Sequence, residues 1–88
     1  MKIEISRPDK SSLDKLGVTD WDIWTCAPSK FDWSYSDRET CYILAGKVTV
    51  TTETEKVSFG PGDLVVFPKG LACVWEVFEP VRKHYRFG

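Results

Sequence analysis

Histidine and cysteine, the residues that supply imidazole and thiol chemistry, are few in this chain. It holds one histidine, His84, and three cysteines, Cys26, Cys41 and Cys73. An odd number of cysteines, none of them at the close spacing of a metal-binding knuckle, argues against both a disulfide framework and a zinc finger. We therefore interpret the cysteines as thiols, and we expect the function to operate almost without imidazole chemistry.

The length and charge of the chain limit its partners. Its 88 residues are sufficient for one domain, residues 1–88, with one small core. The net charge of −1 is far from the basic excess that binding to a phosphate backbone requires, so we expect no nucleic-acid partner. Because no apolar run approaches the ~20 residues of a membrane span and the amino terminus has no apolar signal core, we expect no membrane partner and a cytoplasmic location.

The elements that must position these residues are mainly short strands. The segment from Ser11 to Gly17 predicts one or two helical turns capped by these two residues, and we expect no other helix. From Trp21 onward, apolar residues recur with period two, and turn signals, Ala45-Gly46 and Glu79-Pro80 among them, follow at intervals of roughly 8–12 residues. This pattern predicts seven or more short strands in an all-β fold, an antiparallel sandwich or barrel.

Two stretches of the chain resemble the paired motifs of the cupin superfamily, the small RmlC-like jelly-roll barrels. Gly62, five further residues and then Pro68-Lys69-Gly70 match the second motif, whose glycines and proline form two tight turns around a strand. Glu39, six further residues and then Gly46 match the second half of the first motif. The sequence of the two stretches, residues 39–48 and 62–70, is similar to that of the ureidoglycine aminohydrolase-like branch of this superfamily. The resemblance implies a single jelly-roll β-barrel domain, and the homodimer that cupins commonly form.

The resemblance also locates the positions of the family's metal ligands. Metal-binding cupins carry two histidines shortly before the glutamate and a third after the final glycine. Counted from Glu39 and Gly70, these positions hold Trp33, Tyr35 and Cys73. One carboxylate with one thiolate is a poor site for manganese or iron, so we expect neither a metal site nor another cofactor.

If the resemblance holds, the residues at these positions point into the barrel together with Glu39. Strand alternation places Cys41 and Ile43 beside Glu39, and Trp75 and Val77 beside Cys73. Apolar walls with a few polar groups are typical of small-molecule sites, and the carboxylate of Glu39 is the candidate catalytic group, as acid or base. We expect no cationic neighbour for this carboxylate. The candidate ligand-binding residues are Trp33, Tyr35, Glu39, Cys41, Cys73 and Trp75.

Three functions are compatible with this composition. We favour the binding of a small polar or planar metabolite, because indole and phenol rings stack on planar groups. The first alternative is a metal-assisted enzyme on a small nitrogenous metabolite, its metal recruited by Glu39, Cys73 and His84. The second is a structural or interaction domain whose own side chains fill the barrel. On the last strand, alternation places His84 on a solvated basic face and Lys83 on the opposite face.

Overall fold

The computed structural model describes residues 1–88 and consists mainly of antiparallel strands, so the all-β prediction is confirmed. One α-helix, α1 (Lys10–Leu16), and a 3-10 helix (Val18–Asp20) lie between the first two strands. No helix is long or apolar enough to cross a lipid bilayer. The seven strands are β1 (Glu4–Ser6), β2 (Asp22–Cys26), β3 (Ser29–Ser34), β4 (Glu39–Thr51), β5 (Lys56–Phe59), β6 (Leu64–Phe67) and β7 (Ala72–Phe87).

The helical segment differs from the prediction at its beginning and its end. Its N-cap is Asp9 and not Ser11, because the Asp9 carboxylate accepts a hydrogen bond from the Ser12 N–H at 2.8 Å. This bond lowers the pKa of Asp9 below its usual value. Gly17 is the C-cap, as predicted. The 3-10 helix directly after it was not expected, and it buries the side chain of Val18.

Two long strands, β4 and β7, form the centre of the sheet. The strand order is β1-β6-β4-β7-β2, with β3 also paired to β7 and β5 also paired to β4. The first part of β7 pairs with β3 and its last part with β2, while β4 lies along both parts. Residues far apart in sequence on β2, β3, β4 and β7 are thereby brought around one interior.

Bulges within β4 and β7 replace two of the predicted turns. Neither Ala45-Gly46 nor Glu79-Pro80 reverses the chain, because the pairing of β4 with β7 continues across both with shifts in register. At Gly46 the φ angle is 103°, and a Cβ atom would lie 2.6 Å from the Pro80 carbonyl oxygen and from the Val81 Cα. Only glycine fits this approach of the two backbones. The prediction of short strands is therefore wrong for β4 and β7.

The turns on both sides of β6 follow the predicted motif. Gly62 and Gly70 have φ angles of 91° and 87°, so the strand is bounded by two tight turns as expected. In the first turn the Asp63 carboxylate accepts the Gly60 N–H at 2.8 Å and pairs with Arg7 at 3.1 Å. This arrangement fixes the loop that leads into β6.

The core of the protein is a single cluster of 14 buried side chains. Aromatic, aliphatic and thiol side chains form one buried cluster, and every one of the cysteines remains a free thiol, as predicted. The cluster consists of Ile3, Tyr35, Cys41, Ile43, Val48, Val50, Phe59, Val65, Phe67, Leu71, Cys73, Trp75, Val77 and Val81.

Candidate functional site

A pocket of about 240 Å³ lies between β2, β3, β4 and β7. Seven of its nine lining residues are aromatic, and the other two carry opposite charges. Trp33 and Phe87 are each 49% exposed, whereas Tyr35 and Trp75 are buried. We refer to this site as the aromatic pocket. Its lining residues are Trp24, Phe31, Trp33, Tyr35, Glu39, Trp75, Lys83, Tyr85 and Phe87.

The two charged residues of the aromatic pocket form a buried ion pair. Lys83 Nζ donates to both carboxylate oxygens of Glu39, at 3.2 Å each. The two side chains are only 5% and 6% exposed. The ammonium also lies 4.9 Å from the ring centroid of Trp24 and 4.7 Å from that of Trp75. These contacts offset part of the cost of removing two charges from water, and the pair has no net charge.

Strand register explains how Lys83 comes to lie beside Glu39. On β7, Lys83 pairs with Ile43 of β4 and with Trp24 of β2, and Phe87 pairs with Glu39. Since alternate residues share a face, Lys83 and His84 lie on opposite faces of β7, as the sequence predicted. The pairing with β2 and β4 places the face of Lys83 inward. The expectation that Glu39 has no cationic neighbour is wrong, because its partner is 44 positions away in the sequence.

Trp75 organises the aromatic wall. Phe31 stacks on its ring at a centroid distance of 6.2 Å, and Trp24 meets it edge-on at 6.0 Å. The Trp75 indole N–H donates to the Tyr35 hydroxyl at 3.1 Å. Burial, and next the negative charge of Glu39, raise the pKa of Tyr35 far above its ordinary value. Tyr35 is therefore a neutral phenol whose own O–H is available as a donor.

The structure brings four of the predicted site residues together and separates two. Trp33, Tyr35, Glu39 and Trp75 line the aromatic pocket, whereas the two thiols do not. Cys41 is fully buried in the core cluster. Cys73 instead borders a wider, open surface groove of about 740 Å³, to which Trp33 also contributes.

Neither of these thiols has the properties of a nucleophile. Burial raises the pKa of Cys41 to about 12, and it also raises the pKa of Cys73. A reactive cysteine requires the opposite shift, because the thiolate is the attacking species. Both side chains belong to the buried cluster, where they pack as small apolar groups.

His84 lies on the opposite face of β7 from the aromatic pocket. It is 7% exposed, and its Nδ1 lies 3.1 Å from the backbone carbonyl oxygen of Trp21. Arg86 lies over the Trp21 ring at 4.7 Å. The predicted solvated face is therefore wrong for His84, because the segment that leads into β2 covers it. Its position also separates it from Glu39.

The donor set does not fit the three-histidine metal site of cupins. An indole, a phenol and a thiol of raised pKa occupy the three positions, and the retained Glu39 carboxylate already binds an ammonium group. A metal cation would have to displace Lys83 and would find no imidazole. No group of three or more His, Cys, Asp or Glu side chains in the structure could hold a metal ion. We derive no metal chemistry from this site.

The chain resembles known proteins over nearly its whole length. The family model described as EutQ-like cupin domain matches residues 13–85. A crystal structure of a DUF861 family protein from Thermotoga maritima is 52% identical, with a TM-score of 0.97, and the match covers 99% of this chain and 100% of that one. No curated protein is significantly similar to this chain.

Two EutQ structures are more distant matches. The EutQ protein of Clostridium difficile is 26% identical and a putative ethanolamine utilization protein Q from Salmonella typhimurium 25% identical, both with a TM-score of 0.68. Each match covers 74% of this chain, and this chain spans about half the length of these proteins, 52% and 53%. Together, the matches confirm the predicted jelly-roll fold.

Proposed function

Because the chain belongs to the EutQ-like cupin domain family, we propose that it binds a small polar or planar metabolite in the aromatic pocket without a resident metal. One observation supports this proposal above all: aromatic rings surround a buried, neutral ion pair beside about 240 Å³ of free volume. A side-chain-filled barrel would not retain this volume. Since a water molecule occupies ~30 Å³ of liquid, the pocket suits a ligand of few atoms.

The composition of the walls favours binding of a flat molecule. Aromatic rings supply apolar area at little cost in conformational entropy, and they stack on planar groups. Trp33 and Phe87 are each about half exposed, so they form the part of the lining that a ligand meets on entry. Polar groups that fix orientation are confined to Glu39, Lys83 and Tyr35, an arrangement common in small-molecule sites.

The resemblance to the ureidoglycine aminohydrolase-like branch would imply a metal-dependent reaction on a nitrogenous metabolite. That chemistry depends on the three imidazoles whose places are taken here by Trp33, Tyr35 and Cys73. The Glu39 carboxylate is already bound by the Lys83 ammonium group. For this reason we propose binding as the function and do not assign that reaction to the chain.

Indole NMR signals provide a direct test of the proposal. Trp24, Trp33 and Trp75 line the aromatic pocket, whereas Trp21 does not, so its Nε1–H signal is an internal control. We expect at least one of four probes at millimolar concentration, benzamide, benzoate, benzamidine and acetophenone, to shift the three pocket signals and to leave that of Trp21 in place. If none of the four probes shifts the pocket signals, the proposal is wrong.

Matched variants locate the binding site. Trp33→Ala removes a half-exposed wall residue and should weaken binding of every probe that binds, because stacking area is lost. Phe78→Ala removes a residue of similar exposure, 53%, that does not line the aromatic pocket, and it should leave affinity unchanged. Equal effects of the two variants would show that the probes bind elsewhere.

A further inference from the structure

We propose that the ligand of the aromatic pocket presents a neutral, planar amide group, as in a carboxamide or a lactam, whose carbonyl oxygen accepts from Lys83 and Tyr35 and whose N–H donates to Glu39. This inference rests on the proposed function and adds the chemical class of the ligand. Two features of the pocket support it: the hydrogen-bonding groups that remain free, and the charge balance.

Charge balance excludes the two simplest charged ligands. Glu39 and Lys83 neutralise each other at 3.2 Å, and the other lining residues carry no charge. An anion that reached Lys83 would also lie close to the Glu39 carboxylate, and a cation that reached Glu39 would lie close to the ammonium group. Either ligand would bring an uncompensated charge beside two side chains that are only 5% and 6% exposed, which is costly.

The ion pair leaves both donor and acceptor capacity unused. An ammonium group has three N–H donors, and two are directed at Glu39. One donor is left on Lys83, and lone pairs are left on both carboxylate oxygens. A group that binds both partners at once must therefore offer an acceptor and a donor side by side. An amide does so on one rigid plane.

Tyr35 adds a second donor for the carbonyl oxygen. Its hydroxyl accepts from the Trp75 indole, which leaves its O–H to donate, and the raised pKa keeps the phenol protonated. The Tyr35 side chain is 3% exposed and lines the aromatic pocket, so a carbonyl oxygen bound in this pocket offers its O–H an acceptor. Two donors match the two lone pairs of a carbonyl oxygen, and the flat amide frame suits walls of aromatic rings.

Four isosteric probes test the ligand class on the unmodified protein. Benzamide carries the amide, acetophenone has the same shape with no N–H donor, benzoate is the anion and benzamidine is the cation. We expect benzamide to bind at least tenfold more tightly than each of the other three, measured from the indole shifts of Trp24 and Trp75. Equal or tighter binding of benzoate, benzamidine or acetophenone would overturn the amide assignment while leaving the aromatic pocket a binding site. Absence of binding by all four would instead overturn the proposed function.

A double variant tests whether the ion pair is the source of the preference. Glu39→Leu with Lys83→Met replaces both charged groups by apolar ones of similar size, a change that buried ion pairs often tolerate. Its affinities for benzamide and acetophenone should become equal. The control is Lys56→Met, which removes an exposed lysine of β5 and should keep the tenfold ratio. A double variant that keeps the ratio would contradict the proposed contacts, and if this variant does not fold, the probe series on the unmodified protein decides.

Discussion

Glu39 and Lys83 should be strongly coupled in their contributions to the free energy of unfolding. Each partner is about 5% exposed, so removing one leaves the other as a buried charge without a counter-charge. This situation costs ~3–5 kcal/mol, a large part of the ~5–15 kcal/mol that stabilises a typical domain. Loss of Lys83 also removes two cation–π contacts, each worth ~0.5–2 kcal/mol. We therefore expect Lys83→Met to be at least as destabilising as Glu39→Leu.

The double variant Glu39→Leu/Lys83→Met should be more stable than either single variant, because it leaves no unpaired charge. We expect it to lie within ~2 kcal/mol of the unmodified protein, so the coupling energy would be at least ~4 kcal/mol. Urea unfolding at neutral pH, followed by tryptophan fluorescence, measures these free energies. In thermal unfolding each single variant should lower Tm by at least ~12 °C, given ~4–8 °C per kcal/mol at this size.

The coupling would be refuted if the double variant lost as much free energy of unfolding as the two single variants together, within ~0.5 kcal/mol. Additivity would mean that each charge is solvated independently of the other. Lys56→Met is the control for loss of a lysine, because this residue is exposed on β5. Its effect should stay within ~0.5 kcal/mol.

Three further predictions concern the bulge and the thiols. Gly46→Ala should lower the free energy of unfolding, measured in urea, by ~2–6 kcal/mol, because φ is 103° and backbone atoms lie 2.6 Å from the new Cβ. Gly60→Ala is the control, since the nearest atom to its new Cβ is at 3.4 Å, and it should cost under ~1 kcal/mol. Iodoacetamide at pH 8.5 should alkylate the native protein at Cys26 alone, and it should reach Cys41 and Cys73 only after denaturation, as measured by mass spectrometry. Rapid labelling of either buried thiol in the native protein would contradict its burial. Folding raises the pKa of Cys41 from 9.0 to about 12, so the stabilising contribution of the neutral thiol is complete below pH 9 and is lost as pH rises toward 12. Between pH 9 and 10.5 the free energy of unfolding of the unmodified protein should fall by ~1–2 kcal/mol more than that of Cys41→Ala. Equal decreases in the two proteins would count against the shift.

Much of the aromatic pocket could be predicted because local pattern and motif spacing act together. Alternation on a strand fixes which residues share a face, and the cupin motifs fix where the strands turn. These two constraints were sufficient to bring Trp33, Tyr35, Glu39 and Trp75 to one site. Alternation assigns every residue of a strand to one face or the other as long as the strand contains no bulge.

The sequence could not show which strands are continuous or which distant residues pair. Gly46 and Pro80 are turn residues by type, but here they lie opposite each other where β4 and β7 pass closely. Lys83 belongs to a basic run, Arg82-Lys83-His84, whose composition is typical of a solvated surface. Its burial follows from pairing with β2 and β4, and such long-range register is set by tertiary packing that no local window contains.

The aromatic walls and the ion pair should contribute differently to the ligand specificity of this pocket. Wall residues contribute stacking area to any flat probe, so Trp33→Ala should weaken the binding of benzamide and acetophenone by a similar factor and leave their ratio unchanged. The ion pair acts differently, because a ligand that lacks one hydrogen-bonding group leaves a buried partner unsatisfied, and that penalty falls on the wrong ligand alone. Replacing Glu39 and Lys83 together should therefore change the ratio more than it changes the affinity for acetophenone. A wall variant that altered the ratio as strongly as the ion-pair variant would show that ring stacking, and not the ion pair, selects the ligand.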